Sequence, residues 1–314
     1  MANQLTTLPS GDVVGLSATG DPLATRLVLF CLPTPGAGMF DPDPMVTDPW
    51  GVHLVSLDRP GYGSTPPVGT TGPGIDTSTR VRDSATEGGT RDRPSIQDRA
   101  DDLAAYLTSS RQDAQRSNGT VLGAAGVVGW GTGGMVALSL AARHPELVDR
   151  VATVQTAAPH GFTFDPATQA LPPFDVEALG IPGDDPRLER PGLRNRLDRM
   201  LAEAAVQGDA GAAADRRALR DHSWARELGS VTADVRLIYA DDMTYVDRYD
   251  GYWYRKRLPK ARVVRVSSGG ALVIATQWAR ILAHVAPNHG GLSETSRGVQ
   301  DAGAPREARS RNRG

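Results

Sequence analysis

Several residue types on which particular functions depend are scarce in this 314-residue sequence. A single cysteine, Cys31, excludes an intrachain disulfide and a thiolate-cluster metal site. Lysine occurs twice, at 256 and 260, and 34 basic residues against 36 acidic ones leave a net charge of −2. Proteins that bind polyanions need a surplus of cations to displace counterions, so nucleic acid is excluded as a partner class. No long hydrophobic run is present. The longest mainly apolar stretch, Val121 to Trp130, is interrupted by glycine and falls short of the roughly 20 residues that span a bilayer. Met1 to Ser10 has neither a basic n-region nor an apolar h-region, so a soluble, cytoplasmic protein with no membrane partner is expected. No His–Glu cluster has metal-ligand spacing, and neither a metal nor another cofactor is expected.

Glycine (35) and proline (23) are plentiful and mark frequent turns. Between them lie short apolar runs of the kind that form buried strands: Leu27 to Leu32, Val52 to Leu57, Val121 to Val128, Val148 to Gln155, Val235 to Tyr239 and Arg262 to Val266. Helix-period segments alternate with them, at Ile96 to Leu107, Gly133 to Arg143, Tyr249 to Leu258 and Val273 to Val285. That alternation predicts an α/β protein with a mostly parallel sheet, with Val13 to Ala18 as an antiparallel edge strand.

Three segments break the rhythm. Residues 68–95 hold almost no large apolar group and read as a flexible insertion. Residues 160–229 carry helical spacing at Leu193, Leu197, Met200, Leu201 and Ala204, then an alanine-rich stretch, and read as a helical lid between two strands. Residues 288–314 are polar, without apolar period, and read as a disordered tail. The core is expected from 1–159 and 230–287.

The segment Val127-Val128-Gly129-Trp130-Gly131-Thr132-Gly133-Gly134 runs from a strand through a glycine-rich turn into a helix. It resembles the G-x-S-x-G nucleophile elbow of the α/β-hydrolase superfamily, whose small flanking residues permit a sharp strand-to-helix turn. Leu32-Pro33-Thr34-Pro35-Gly36-Ala37-Gly38 is similar to the family's oxyanion loop, and Asp58-Arg59-Pro60-Gly61-Tyr62-Gly63-Ser64 to its D-x-R/P-G-x-G-x-S turn. Val235 to Asp242 resembles the strand that ends at the triad acid. Val264 to Val273 resembles the loop that presents the catalytic histidine. The resemblance covers residues 27–160 and 234–287. It implies an α/β-hydrolase fold with a helical lid, and a small-molecule ligand or substrate.

The departures fall on the chemistry. Gly131 stands where the nucleophilic serine belongs, Ala271 where the histidine belongs, and Leu32 replaces the histidine that opens the oxyanion loop. Glycine cannot attack a carbonyl and alanine cannot move a proton. Losing a triad nucleophile or base costs on the order of 10⁶ in turnover. Only the acid is retained, as Asp242, with Asp241 as a one-residue-shifted alternative. Among stand-ins, Thr132 adjoins the elbow, and His160 follows the strand at the hinge of the lid. Tyr239, Tyr245, Tyr249, Tyr252, Trp253 and Tyr254 surround Asp242 in sequence, and desolvation among them is expected to raise its pKa into the range of a general base. Pro33, Thr34, Gly36, Trp130, Gly131 and Thr132 are expected to line the ligand pocket. These residues favour a cofactor-independent, non-hydrolytic enzyme that acts on a small hydrophobic metabolite through proton chemistry at Asp242 or His160, or through confinement. The alternatives are a non-catalytic ligand-binding pseudoenzyme and a weak hydrolase in which Asp242 or His160 activates water.

Overall fold

The computed structural model describes residues 4–68, 95–159, 173–243, 245–246 and 248–287. Eight strands form one sheet: β1 (Gln4–Thr7), β2 (Val13–Gly20), β3 (Leu27–Cys31), β4 (His53–Leu57), β5 (Ala125–Trp130), β6 (Val148–Val154), β7 (Asp234–Ala240) and β8 (Ala261–Val266). Their spatial order is β1-β2-β4-β3-β5-β6-β7-β8, antiparallel as far as the β2–β4 pair and parallel from there on. β3 and β5 are buried along their whole length, because helices cover both faces of a parallel sheet.

The helices are α1 (Pro44–Trp50), α2 (Ile96–Asn118), α3 (Gly133–Arg143), α4 (Leu193–Ala204), α5 (Ala210–Leu219), α6 (Arg248–Arg255), α7 (Val273–Thr276) and α8 (Trp278–Val285). Alternate side chains of each strand feed two cores. Leu29, Val127, Val151 and Leu237 pack with α2, α3 and the 3₁₀ segment Ser223–Ser230. On the opposite face, Val28, Phe30, Val128 and Ile238 pack with Trp50, Trp278, Ile281 and the buried side of α4.

The expected α/β-hydrolase architecture, with its mostly parallel sheet flanked by helices, is present; several boundaries differ. Val13–Gly20 is the second strand, because Gln4–Thr7 pairs outside it. That edge strand has one large apolar residue, Leu5, which is exposed, so no alternation announces it. β5 begins at Ala125, not at Val121, which is 77% exposed. α2 continues eleven residues past Leu107 along a polar, solvent-facing extension, and starts on a Ser95–Asp98 capping box. The segment 273–285 is split at Gln277, beyond which the Trp278 indole donates to Thr47 Oγ1 at 2.8 Å. His160, residues 69–94 of the expected insertion and the tail 288–314 lie outside the described residues.

Candidate functional site

Strand order reverses between β3 and β5. The chain leaves β3 for β4 on one side, while β5 starts the other half of the sheet. Crevices open at such reversals beyond the carboxyl ends of the strands. The loop after β3 and the turn after β5 meet there, and between them lies a cavity of about 240 Å³. Pro33, Thr34, Trp130, Gly131, Thr132 and Ala271 all line it; Gly36 does not. Gly36 instead closes its own loop, since a Cβ there would stand 2.8 Å from the Pro33 carbonyl oxygen. Leu179, Met243 and Val246 make most of the remaining wall apolar. The Trp130 ring is stacked on Phe40, with centroids 5.4 Å apart.

Gly131 has φ +55, the left-handed conformation of a tight strand-to-helix turn. Space is not what demands glycine here, because a Cβ would meet nothing closer than Pro33 Cβ at 3.4 Å. Gly133 and Gly134 differ. A Cβ on them would lie 2.1 Å from the Cys31 carbonyl oxygen and 1.9 Å from Thr156 Oγ1. These two glycines let α3 press against β3 and the end of β6. The result is a tight strand-to-helix turn in which Gly131 presents no side chain to the cavity.

The loop after β3 is held by a buried ionic cluster. Arg59 donates to the carbonyls of Leu32 and Pro33, each at 2.8 Å, and pairs with Asp215 of α5 at 3.0 Å. Arg99 of α2 lies 2.6 Å from the other Asp215 oxygen, and the Tyr62 hydroxyl donates to Asp215 at 3.0 Å. Asp215 is fully buried; burial pushes its pKa up, but the two guanidinium groups outweigh this and hold it below the usual carboxylate range. An ionised carboxylate only accepts, so Thr34 must donate to Asp215 and Thr132 must donate to Thr34 Oγ1, 2.9 Å away. The Thr132 proton is therefore committed to Thr34 Oγ1, which relays to a carboxylate too acidic to remove it. This arrangement counts against Thr132 as a nucleophile. Cys31 is no substitute either, since burial pushes its thiol up to about 12.

Asp242 follows β7 as expected, but its surroundings differ from the expectation. It accepts from the backbone N–H groups of Gly269 (3.0 Å) and Gly270 (2.7 Å) and from Arg187 (2.9 Å). Partial burial pushes its pKa up, yet these donors prevail and hold it below the ordinary carboxylate value. The expected rise is thus reversed. The aromatic neighbours in sequence do not enclose it. Tyr239 and Tyr254 are core residues whose hydroxyls donate to the carbonyls of Thr156 and Ala157, and Tyr249 is 64% exposed. Asp242 does not line the cavity; it clamps the loop that carries Ala271. Asp241 turns to Arg265 on β8 at 2.7 Å, which leaves Asp242 as the carboxylate that faces this loop.

The same loop is gripped from the other side. Gln155, just after β6, donates from its side-chain amide to the Gly270 carbonyl at 3.0 Å and also lines the cavity. No described histidine reaches the cavity wall. His144 pairs with Asp101 at 2.8 Å, and His284 is buried, with burial pushing its pKa down to about 4. Among the described residues, no group of three or more His, Cys, Asp or Glu side chains could hold a metal ion. No described helix is long and apolar enough to cross a membrane.

A family model for the alpha/beta hydrolase family matches residues 28–301. The chain belongs to that family. Over 169 residues it is 30% identical to a pimeloyl-[acyl-carrier protein] methyl ester esterase of Aromatoleum aromaticum; the match spans 46% of the chain and 65% of that esterase. The fold is similar to that of an enol-lactonase from Burkholderia xenovorans LB400, with a TM-score of 0.60 and 14% identity, covering 90% of this chain and all of that one. An alpha/beta hydrolase fold protein from Nakamurella multipartita superposes with a TM-score of 0.61 at 18% identity, over 90% and 99% of the two chains.

Sequence reasoning passed over Asp215, Arg99 and Gln155, and took Arg59 only as part of a turn motif. One signal was available. Asp215 shares a helical face with Gly211, Ala218 and Leu219, so a carboxylate stands on the apolar side of α5. Gln155 gave none, because a polar residue after a strand is ordinary.

Proposed function

We propose that this family member binds a small, mainly apolar carbonyl compound in the cavity and does not form an acyl-enzyme. The observation that carries this reading is the pairing of Gly131, at φ +55 on the elbow apex, with Ala271 on the same wall. The positions from which a nucleophile and a base would act present no functional group. The start of α3, which opens on the cavity at Gly131 and Thr132, still offers the positive end of a helix to a carbonyl oxygen. The esterase and lactonase names of the relatives suggest the ligand class, a carboxylic ester, lactone or related amide.

The enzyme reading favoured by the sequence draws less support. Among the described residues no Asp, Glu, His, Lys or Cys lines the cavity, and Asp242 is occupied as a backbone clamp with a lowered pKa. A weak hydrolase using Asp242 to activate water meets the same objection. His160 is carried forward as the one other proposed acid/base.

The test is ligand-observed NMR with γ-valerolactone and methyl butyrate. Saturation transfer from the protein to each ligand is expected, competitive between the two, with ligand integrals unchanged over a day beyond the buffer control. Hydrolysis or isomerisation that exceeds the control and is lost in His160→Gln would overturn the binding reading in favour of catalysis.

A further inference from the structure

Among the described residues that line the cavity, all but one are buried or half-buried. The exception is Tyr245, which is 83% exposed. Tyr245 therefore stands at the mouth, where the wall gives way to solvent. A lone exposed tyrosine on a surface is ordinary and points to no ligand. This one borders a cavity. The wall continues from it as apolar surface, through Met243 and Val246 on the same loop and Leu179 of the 3₁₀ segment Glu177–Leu179.

The loop that carries Tyr245 is pinned on both sides of it. Met243 packs against the core on one face of the sheet, and Val246 against the core on the other. A Cβ at Gly180 would stand 2.9 Å from Met243 Cε, so glycine there lets the end of the 3₁₀ segment close on this side chain. Between these anchors the Tyr245 side chain is left uncovered. A tyrosine has few rotatable bonds, so a ligand that covers it orders little. The cavity, at about 240 Å³, is also smaller than the roughly 300–1,000 Å³ of sites that enclose drug-sized ligands. A short carbonyl compound is held inside it, whereas a longer one projects through the mouth and onto Tyr245.

We infer that Tyr245 is a specificity-determining residue of the cavity: its ring receives the projecting end of the ligand, and that end is aromatic. The inference rests on the binding reading above and narrows its ligand class to esters, lactones or amides that carry an aryl group a few bonds from the carbonyl. Two aromatic rings in offset or edge-to-face contact gain more than their buried area alone provides. A saturated ring of the same size gains the burial only. The carbonyl end then lies at Gly131 and Thr132, and Met243 and Leu179 enclose the part between.

The probes are three amides of one acid: N-methylbutanamide, N-(3-phenylpropyl)butanamide and N-(3-cyclohexylpropyl)butanamide. Dissociation constants are read in protein-detected NMR from the backbone amides of Gly131, Thr132 and Tyr245. Tyr245→Ala is expected to weaken the phenylpropyl amide about fivefold, the size of one aromatic contact. It should weaken the cyclohexylpropyl amide less and leave N-methylbutanamide unchanged. Tyr245→Phe keeps the ring and should keep all three constants. Removing so exposed a side chain opens no void, so the Ala variant folds as the wild type does. Tyr249→Ala serves as the control, since Tyr249 is an exposed tyrosine that does not line the cavity, and it should change nothing. An unchanged constant for the phenylpropyl amide in Tyr245→Ala, an equal loss for the phenyl and cyclohexyl ligands, or the same loss in Tyr245→Phe or Tyr249→Ala overturns the inference and leaves the binding reading intact. Absence of any response at Gly131 and Thr132 to all three amides overturns both.

Discussion

Asp242, expected from the sequence as a retained acid, serves in the structure as a backbone clamp. Its carboxylate takes two N–H groups and a guanidinium, all on or against the loop that carries Ala271. Asp242→Asn is therefore expected to act on stability, with a loss of about 1–2 kcal/mol after allowing for the partial exposure of the group. Because the folded pKa is depressed, the contribution is present above the unfolded value near 4 and is lost as the pH falls below it. Urea denaturation at pH 7 should show the loss, and wild type and variant should converge as the pH is lowered through 4. A variant equal to wild type at pH 7 would remove the clamp from the account. The sequence placed Asp242 just after a strand but did not show its surroundings. Position along the chain showed which strand Asp242 follows, whereas its pKa depends on Gly269, Gly270 and Arg187, which are 27, 28 and 55 residues away.

Elements rich in apolar period were legible, and those that depend on distant partners were not. The wholly buried runs of β3 and β5 and the glycine pattern of α3 could be read directly, because burial on both faces leaves no room for polar residues. β1 and the second half of α2 are polar and held by neighbours, so no local signal defined them. α5 was visible as an alanine-rich helix, but its tie to the core was not. Asp215 binds α5 to Arg59 beyond β4 and to Arg99 of α2, and through Thr34 it reaches the elbow. Asp215→Asn leaves two buried guanidinium groups without their counter-charge, a change that costs about 3–5 kcal/mol in such settings. Chemical denaturation should show a midpoint shift of that size, with line broadening at Thr34 and Thr132. A shift below about 1 kcal/mol would mean that solvent already reaches the cluster.

For the whole molecule, the α/β-hydrolase fold is kept, with its sheet reversal and a tight strand-to-helix turn at the cavity. We propose that Gly131 and Ala271, both on the cavity wall, stand where the two reacting side chains would. On that proposal fold and chemistry separate, as they do across large fold families. Intact-mass analysis after exposure to a fluorophosphonate probe tests this most directly, with Gly131→Ser combined with Ala271→His as the positive control. A Cβ at 131 would stand in ordinary contact, 3.4 Å from Pro33 Cβ, so the backbone strain at φ +55 is the cost of placing a serine in this control. The account predicts no adduct on the wild type and a single adduct at position 131 in the double variant. A stoichiometric adduct on any cavity residue of the wild type would contradict it.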